Sequence, residues 1–260
     1  MGPRSTHVIV LAAGRGSRLG ALGADTPKWL LEVGDRTIAE RQLEAIALAR
    51  AAPGEAIGSV RVVTGHASEE IERFLATRPD DAVSILHNPD FAEINNWYSV
   101  LLALRELDAE PDARIVIVNG DLCARPEWIA EFLAESAGTA AESLVGVDLA
   151  RRLTDESMKV STDGGDPPTI RAIGKVGVED PVGEYVGLLM ARGSVLGAFR
   201  EQLEGFVGQA GHRDEWYERA VGLTSADGVR WVIHPTLDSR WVEIDDDGDY
   251  EAALDLVGVR

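Results

Sequence analysis

The stretch HVIVLAAGRGSRLG, residues 7–20, decides how the rest of the chain is interpreted. It begins with a short apolar run rich in β-branched residues, which predicts a buried strand over residues 7–13. Gly14, Gly16 and Ser17 follow, and small residues here let the backbone turn sharply and direct successive N–H groups at an anion. An ordinary tight turn between a strand and a helix gives the same G-x-G pattern, so further residues are needed to distinguish the two.

Strand-like and helix-like segments alternate outward from this loop through the first half of the chain. Further strands are predicted over residues 60–64, 82–86 and 115–119, and helices over residues 40–51, 67–75 and 98–107. This order is typical of an α/β fold with a mostly parallel sheet flanked by helices on both faces. Such sheets bind ligands at the carboxyl ends of their strands, which is where Gly14, Gly120 and Asp121 lie.

The second half is predicted to be a smaller, mixed or partly antiparallel extension of that sheet. Its short strands are expected over residues 143–148, 158–161, 169–173, 185–190 and 230–234, and its helices near residues 195–203 and 215–222. Because no linker is polar enough to separate independent domains, we expect residues 1–260 to form a single domain.

The composition is acidic, with 44 Asp and Glu residues against 25 Lys and Arg and a formal charge of −19 at pH 7. Such a charge repels nucleic-acid backbones and anionic membranes, so we expect neither as a partner. The lone Cys123 excludes an internal disulfide framework. No window reaches the roughly 18 apolar residues of a membrane span, and the expected location is the cytoplasm.

An acidic protein that binds an anion needs local cations, and the lysines of this chain indicate where they lie. Among the 25 basic residues, only Lys28, Lys159 and Lys175 are lysines. A lysine supplies a compact, rotatable charge for phosphate oxygens, whereas an arginine supplies a planar fork. Arg18 and Lys28 are therefore predicted to lie on either side of a polyphosphate, while chance retention on the surface remains the alternative for Lys159 and Lys175.

Three acidic residues are candidates for a metal site. Asp121 follows the buried strand over residues 115–119, where a helix N-cap is the alternative role. If residues 241–245 are extended, Glu243 and Asp245 lie on one face, because side chains alternate along a strand. Magnesium prefers a few carboxylates together with substrate phosphates and water, so these acids are predicted to share Mg²⁺.

With Arg18, Leu19, Pro27 and Lys28 in register, the loop resembles the L-x-A-G-x-G-x-R-L…P-K signature of the nucleotidyltransferase superfamily. The resemblance implies a Rossmann-like, mostly parallel mixed sheet and magnesium-dependent transfer of a nucleoside monophosphate from an NTP, with release of pyrophosphate. It also implies that Arg18, Lys28 and Asp121 are catalytic. The superfamily places metal acids after a G-D strand and in a W-x-[DE] segment; Asp121 and Glu243 match these places, whereas Asp245 matches only the subset that reads E-I-D.

The segment NPDFAEINNWYS, residues 88–99, resembles the N-x-x-[FY]-x-x-x-N-N-x-x-S segment of cytidylyltransferases that act on phosphocholine and on phosphonates. Residues 156–160, 173–175 and 183–187 fit the same group. The implied nucleotide-binding residues are Leu11, Ala12, Ala13, Gly14, Arg15, Gly16, Ser17, Asn88, Asn96, Ser99 and Gly120. The implied acceptor-binding residues are Lys159, Lys175, Glu184, Tyr185, Arg151 and Arg152. Either Asn95 or Asn96 is also expected to cap the helix that follows.

This resemblance implies CTP and a small phosphate- or phosphonate-bearing acceptor as partners, with a homodimer as a further possibility. Residues 1–140 would bind the nucleotide, residues 141–240 the acceptor, and residues 241–260 would return a metal-binding segment and a C-terminal helix. The alternatives are a sugar-1-phosphate nucleotidylyltransferase using UTP, dTTP or GTP, and a nucleotide-binding regulatory subunit without catalysis.

Two kinds of acceptor remain open from the sequence. A quaternary ammonium compound such as phosphocholine favours an aromatic cage with acids nearby, which Tyr185, Trp216, Tyr217 and Glu218 can supply. A second anionic group, as in phosphonoformate, would suit the pair at residues 151–152. Core packing of the aromatic residues and a solvated arginine pair are the alternative interpretations.

Overall fold

The computed structural model describes residues 5–16, 18–19, 26–52, 57–107, 113–236 and 240–258. Its strands are β1 (Thr6–Ala12), β2 (Glu32–Val33), β3 (Arg36–Thr37), β4 (Ile57–Thr64), β5 (Val83–His87), β6 (Arg114–Asn119), β7 (Leu122–Ala124), β8 (Ser143–Asp148), β9 (Lys159–Thr162), β10 (Ile170–Gly174), β11 (Gly183–Arg192), β12 (Ile233–Thr236) and β13 (Trp241–Glu243). Its helices are α1 (Ile38–Ala51), α2 (Ser68–Ala76), α3 (Asn96–Glu106), α4 (Pro126–Gly138), α5 (Gly193–Phe206), α6 (Glu218–Ala226) and α7 (Asp247–Val257).

Within these ranges, one nine-stranded sheet runs through the protein in the order β10-β9-β11-β6-β1-β4-β5, with β8 against β11 and β12 against β8. Strands β6, β1, β4 and β5 are mutually parallel. Strand β11 is antiparallel to β6, β8 and β9 and carries the sheet into the second half. The α/β fold with a parallel first half and a mixed extension is therefore confirmed.

Side chains from successive residues of β1 enter different parts of the core. Val8 and Val10 pack with residues of α1, α4 and α7, whereas Ile9 packs with residues of α3, α5 and α6. Because side chains alternate across a strand, these two hydrophobic clusters lie on opposite faces of the sheet. The result is a three-layer molecule in which both faces of the central strands are buried.

Local sequence explains where several helices begin. Thr37 and Glu40 form a capping box at α1, since Thr37 Oγ1 accepts from the Glu40 N–H at 3.1 Å and Glu40 Oε2 accepts from the Thr37 N–H at 2.8 Å. Asp246 caps α7 in the same way. Helix α4, which the apolar pattern did not indicate, starts with Pro126 at its first turn, where a missing N–H costs no hydrogen bond.

Strand β12 and helix α6 of the second half each start three residues later than predicted. Residues 230–232 precede β12 and form only an isolated bridge, from Val232 to Thr169, because the Val232 N–H donates to the Ser143 side chain at 3.0 Å. The Ser143 hydroxyl in turn donates to the Arg230 carbonyl at 2.9 Å. Helix α6 begins at Glu218, since the Tyr217 N–H donates to Asn96 Oδ1 at 3.0 Å and ties this turn to α3. In both cases a distant side chain replaces a regular backbone hydrogen bond.

Candidate active site

A cavity of about 390 Å³ opens where β1 and β6 end. The two strands are neighbours in register, with Leu11 opposite Asn119, so their carboxyl ends share one edge of the sheet. Of the residues predicted for the site, those that line this cavity are Leu11, Ala13, Gly14, Arg15, Arg18, Lys28, Asn96, Ser99, Gly120, Asp121, Lys175, Tyr185, Glu243 and Asp245. Segments from both halves of the chain therefore meet around one space.

Gly120 lets the end of β6 approach β1 very closely. Its N–H donates to the Leu11 carbonyl at 3.1 Å. A Cβ atom at this position would lie 2.2 Å from the Leu11 oxygen and 3.2 Å from Ala12 Cα. Because both are backbone atoms, a change of side-chain conformation cannot remove the clash. Glycine is thus needed here to place Asp121 directly beside the first loop.

The loop after β1 is held by a buried anchor. Gly16 has a φ of +62°, and its carbonyl accepts from the Leu19 N–H at 3.0 Å. Leu19 is fully buried, so the turn is fixed against the core while Gly14 and Arg15 face the cavity. Gly16 and the buried Ala12, which were also predicted to bind the nucleotide, do not line the cavity. Ser17, predicted for the same role, falls outside the described residues.

The predicted cations and acids form a contiguous network at the cavity. Lys28 Nζ lies 2.6 Å from Asp245 Oδ1 and 3.2 Å from Asp121 Oδ2, and Arg18 Nη2 lies 2.8 Å from Asp245 Oδ2. Burial alone would lower the pKa of Lys28, but Asp121 and Asp245 raise it to about 12. Lys28 is therefore a permanent positive charge in the neutral pH range.

Glu156 extends this network across the cavity to the second half of the chain. Its carboxylate lies 3.1 Å from Lys175 Nζ and 3.6 Å from Arg18 Nη1. Lys175 Nζ also lies 5.1 Å from the centre of the Trp216 ring. Exposed ion pairs of this kind contribute little to stability, so an anionic ligand can exchange with Glu156 at small cost.

Pairing of β13 with β7 brings the C-terminal acid to the first half. Glu243 is opposite Leu122, and the Ile244 N–H donates to the Asp121 carbonyl at 3.1 Å. Burial, followed by the charges of Asp121 and Asp245, raises the pKa of Glu243 well above its ordinary range. Like charges gathered in this way favour a cation between them.

Asp245 differs from the other two acids in its surroundings. Strand β13 ends at Glu243, so Asp245 lies beyond the ladder and its carboxylate pairs with Lys28 and Arg18. Burial would raise the pKa of Asp245, but Lys28 and then Arg18 lower it below its ordinary value.

The acids fit magnesium better than a metal that needs a complete protein cage. Among the described residues, no group of three or more His, Cys, Asp or Glu side chains is arranged as a metal site by itself. Magnesium commonly binds through one or two carboxylates plus substrate phosphates and water. Asp121 and Glu243 would be its protein ligands, beside the glycine-rich loop.

Residues at the start of α3 line the cavity, and one of them, Asn95, also caps the helix. Asn95 caps the helix, with Oδ1 accepting from the Asn96 N–H at 2.7 Å. Asn88 is fully buried; Nδ2 donates to Ser99 Oγ at 2.9 Å and Oδ1 accepts from the Asp90 N–H at 2.9 Å. Asn88 is thus placed behind the cavity as a support for Ser99, while Asn96 and Ser99 line it.

Four residues predicted to bind the acceptor lie away from the cavity lining. Lys159 Nζ donates to the Lys175 carbonyl at 2.9 Å, which occupies it in a structural contact. The Arg151 guanidinium lies 4.5 Å from the Trp241 ring centre and 3.6 Å from Glu184 Oε2, and Arg152 is exposed. The structure therefore does not bring the arginine pair, Glu184 or Lys159 to the space that Lys175 and Tyr185 line.

The predicted aromatic cage forms only in part. Tyr185, Trp216 and Glu218 line the cavity, whereas Tyr217 is fully buried behind it. Glu218 is 3% exposed, its Oε2 has no hydrogen-bond partner in the described part of the chain, and burial raises its pKa to about 8.

Sequence reasoning missed two residues that organise the site. Asn119 lines the cavity and donates from Nδ2 to Glu243 Oε1 at 3.2 Å. Gln42 is buried on α1, accepts from Trp29 Nε1 and donates to the carbonyls of Asn119 and Leu122, each at 2.9 Å. A lone amide ending an apolar strand was the available signal for Asn119; nothing local marks Gln42.

Comparison with known proteins agrees with this geometry. The sequence matches the MobA-like NTP transferase domain over residues 8–221. The chain belongs to this family. The family relationship confirms the resemblance stated from the glycine-rich loop and its cations. No helix in the described ranges is long and apolar enough to cross a membrane.

Two relatives of this NTP transferase carry informative names. The CMP-5'-(3-aminopropyl)phosphonate synthase of Streptomyces rubellomurinus is 30% identical over 255 residues, which cover 95% of this chain and 38% of that protein. The choline-phosphate cytidylyltransferase of Streptococcus pneumoniae is 29% identical over 99 residues, which cover 38% of this chain and 39% of that protein. The matched regions thus span less than two fifths of each relative's own length.

Solved structures share the fold over nearly the whole chain. The CTP:phosphocholine cytidylyltransferase of Streptococcus pneumoniae superposes with a TM-score of 0.73 at 18% identity, covering 97% of this chain and 99% of that one. A UDP-glucose pyrophosphorylase complexed with UDP-glucose superposes with a TM-score of 0.74 at 14% identity, covering 97% and 98%. At these identities the likeness establishes the architecture and leaves the substrate to be argued from the site.

Proposed function

We propose that this NTP transferase moves CMP from CTP to a small phosphate- or phosphonate-bearing acceptor and releases pyrophosphate. One observation carries the proposal: a single cavity gathers Arg18, Lys28, Asp121 and Glu243 at the carboxyl ends of β1 and β6. The names of the two relatives, both of which describe cytidylyl chemistry on a phosphorus-containing acceptor, support CTP as the donor.

The residues present suit in-line transfer without a general base. A phosphate or phosphonate oxygen is already an anionic nucleophile, so positioning and charge neutralisation provide most of the catalysis. Arg18 and Lys28 neutralise the α-phosphate and the departing pyrophosphate, exchanging their present carboxylate partners for phosphate oxygens. Backbone N–H groups of the loop at Gly14 and Arg15 hold the same oxygens. Asp121 and Glu243 would hold Mg²⁺, which would supply further positive charge to neutralise the phosphate groups during transfer.

The second half of the cavity favours an acceptor that also carries a cationic nitrogen. Glu218 is nearly fully buried with an unpaired oxygen, and a cationic nitrogen beside it would lower its raised pKa and pair with the ionised carboxylate. Trp216, which is 38% exposed, offers an adjacent aromatic face. Both relatives are named for acceptors of this kind, an aminopropylphosphonate and a choline phosphate. Phosphonoformate is less favoured, because Arg151 and Arg152 lie off the cavity lining.

A pyrophosphate-release screen tests this proposal. The donors CTP, UTP, GTP, ATP and dTTP are crossed with phosphocholine, 3-aminopropylphosphonate, phosphonoformate and glucose 1-phosphate, with and without Mg²⁺. We expect release to be fastest with CTP and an acceptor that contains nitrogen, and to require Mg²⁺. Preference for UTP, dTTP or GTP with glucose 1-phosphate would instead identify a sugar-1-phosphate nucleotidylyltransferase. Nucleotide binding without release under every condition would contradict the proposal and favour a regulatory subunit.

The variant Asp121→Asn tests the proposed metal acid within the same assay. We expect turnover to fall by about 10²–10³-fold or more, because a charged group that stabilises the transition state is lost. Circular dichroism and the unfolding midpoint should match those of the wild type. Asp81→Asn, at an exposed aspartate of a surface turn, is the matched control. Wild-type turnover of Asp121→Asn would exclude Asp121 from the metal site.

A further inference from the structure

A buried chain of hydrogen bonds connects the acceptor side of the cavity to the C-terminal acid. Tyr185 and Tyr217 share a hydrogen bond of 2.6 Å between their hydroxyl groups. The Tyr217 hydroxyl donates to Asn119 Oδ1 at 2.9 Å, and Asn119 Nδ2 donates to Glu243 Oε1 at 3.2 Å. These four residues come from β11, the turn before α6, β6 and β13, so no single element accounts for the arrangement.

Once Glu243 is ionised, as a carboxylate that binds a metal is, the chemistry of the groups fixes the direction of every hydrogen bond between these four residues. A carboxylate accepts hydrogen bonds and cannot donate them, so Asn119 must present its amide nitrogen to an ionised Glu243. The Asn119 amide oxygen then faces Tyr217, which must donate its only hydroxyl hydrogen. Tyr185 is consequently the donor to Tyr217. Burial raises the pKa of both tyrosines well above the ordinary value, which keeps both hydrogens in place.

The packing around these four hydrogen-bonded residues restricts their side-chain conformations. Asn119, Tyr217 and Tyr185 are 8%, 0% and 3% exposed. Gly187 packs on Asn119 with a φ of +79°, and a Cβ there would lie 2.9 Å from Asn119 Cβ. The backbone N–H of Tyr217 donates to Asn96 Oδ1 at 3.0 Å, which fixes the position of the Tyr217 backbone. Asn119 can therefore be turned over only by losing its bond to Tyr217.

We propose that Asn119 is a positioning residue that orients the Glu243 carboxylate, and that the Tyr217 hydroxyl, backed by Tyr185, fixes which way the Asn119 amide faces. Without the Tyr217 hydroxyl, the Asn119 amide loses the bond that distinguishes its two orientations. One of those orientations turns a carbonyl oxygen toward Glu243, where it repels the carboxylate. The inference deepens the proposed function, since it concerns the acid expected to hold the divalent cation.

The test measures binding of Mn²⁺ alone by electron paramagnetic resonance, with Tyr217→Phe compared with the wild type. We expect the variant to bind Mn²⁺ about 10–100-fold more weakly, because the freed Asn119 amide no longer supports Glu243, and loss of such support to a metal ligand typically has this effect. Its turnover should fall at low metal and recover at high metal, which a general loss of structure would not produce. Tyr98→Phe, which removes a hydroxyl that takes no part in these hydrogen bonds, should bind Mn²⁺ like the wild type.

Asn119→Leu provides a second route to the same answer, because it removes the amide while keeping its approximate shape. Asn119→Leu should weaken Mn²⁺ binding to a similar degree. The double variant with Tyr217→Phe should show little further loss of affinity, since both changes interrupt the same series of hydrogen bonds. If Tyr217→Phe does not fold, Mn²⁺ binding by Asn119→Leu and Tyr185→Phe is compared with that of the wild type instead.

Wild-type Mn²⁺ affinity in both single variants would overturn the inference, as would additive losses in the double variant or absence of Mn²⁺ binding in the wild type. The measurement requires neither an acceptor nor a particular base. Weakened Mn²⁺ binding in Tyr217→Phe together with a failed substrate screen would therefore reject the proposed function while leaving the inference in place.

Discussion

At the scale of single residues, Glu218 is a buried carboxyl group of the cavity, and its Oε2 has no hydrogen-bond partner in the described part of the chain. It is 3% exposed at the start of α6, and burial raises its pKa from 4.5 to about 8. The folded protein therefore retains a proton that the unfolded chain releases at lower pH. By linkage, this residue makes the free energy of unfolding fall as the pH rises from about 4.5 to about 8.

The variant Glu218→Gln removes this titration. We expect the stability of the variant relative to the wild type to increase steadily between pH 5 and about 8 and to level off above that range. Urea unfolding of the metal-free protein at several pH values measures the difference. Glu215→Gln, at a partly exposed neighbour that pairs with Arg219, should run parallel to the wild type. A difference that does not change with pH would show that Glu218 is already ionised when buried.

At the scale of elements, α1 connects the two segments that carry Lys28 and Asp121. Gln42 on this helix accepts from Trp29, the residue after Lys28, and donates to the carbonyls of Asn119 and Leu122 on either side of the acid. The capping box at Thr37 fixes the start of the helix and hence the position of Gln42. Packing of one helix thereby sets the distance between a cation and an acid that lie 93 residues apart.

Gln42→Glu tests this role with almost no change in shape. A buried carboxylate cannot donate, so the two carbonyl groups lose their partner at a cost of about 1–3 kcal/mol each. We expect a lower free energy of unfolding and slower nucleotidyl transfer, measured by urea unfolding and pyrophosphate release. Gln202→Glu on α5, whose partly exposed side chain does not line the cavity, is the matched control. Equal stability of Gln42→Glu and the wild type would show that the hydrogen bonds from Gln42 do not hold the two segments in place.

Elements with strong local patterns were predicted from sequence, and elements held by distant partners were not. Strand β1 and helices α2 and α3 match closely, because apolar periodicity and a capping asparagine are local signals. Strand β7 was missed, since three residues form a strand only when β13 returns to pair with them. The same reason explains why Asn119 and Gln42 were overlooked, while Arg18, Lys28 and Asp121 belong to recognisable motifs.

At the scale of the whole molecule, the sheet makes the two halves of the chain interdependent. Strand β11 of the second half pairs with β6 of the first, and the cavity is lined from both sides of that junction. Neither half can separate without breaking a central strand pair and opening the cavity. The shared sheet supports the prediction that residues 1–260 form a single domain.

This arrangement predicts one cooperative unfolding transition in differential scanning calorimetry. The calorimetric and van't Hoff enthalpies should agree, as expected for a two-state domain. CTP at about 100 times its dissociation constant should stabilise the folded state by about 2.7 kcal/mol and move the whole transition upward. Two separable transitions, or a shift of only part of the heat absorption, would show that residues 1–140 and 141–240 unfold independently.

The sequence by itself determined the α/β class, and it marked the glycine-rich loop, its neighbouring cations and the two places where metal acids are predicted. These features depend on periodicity and on residues close together in the chain, whose geometry local sterics dictate. Only the tertiary structure decided that Lys28 meets Asp245, 217 residues away, and that Arg151 and Lys159 face elsewhere. Such contacts arise because strand pairing brings distant segments to one edge of the sheet, a result of global packing that no short stretch of sequence encodes.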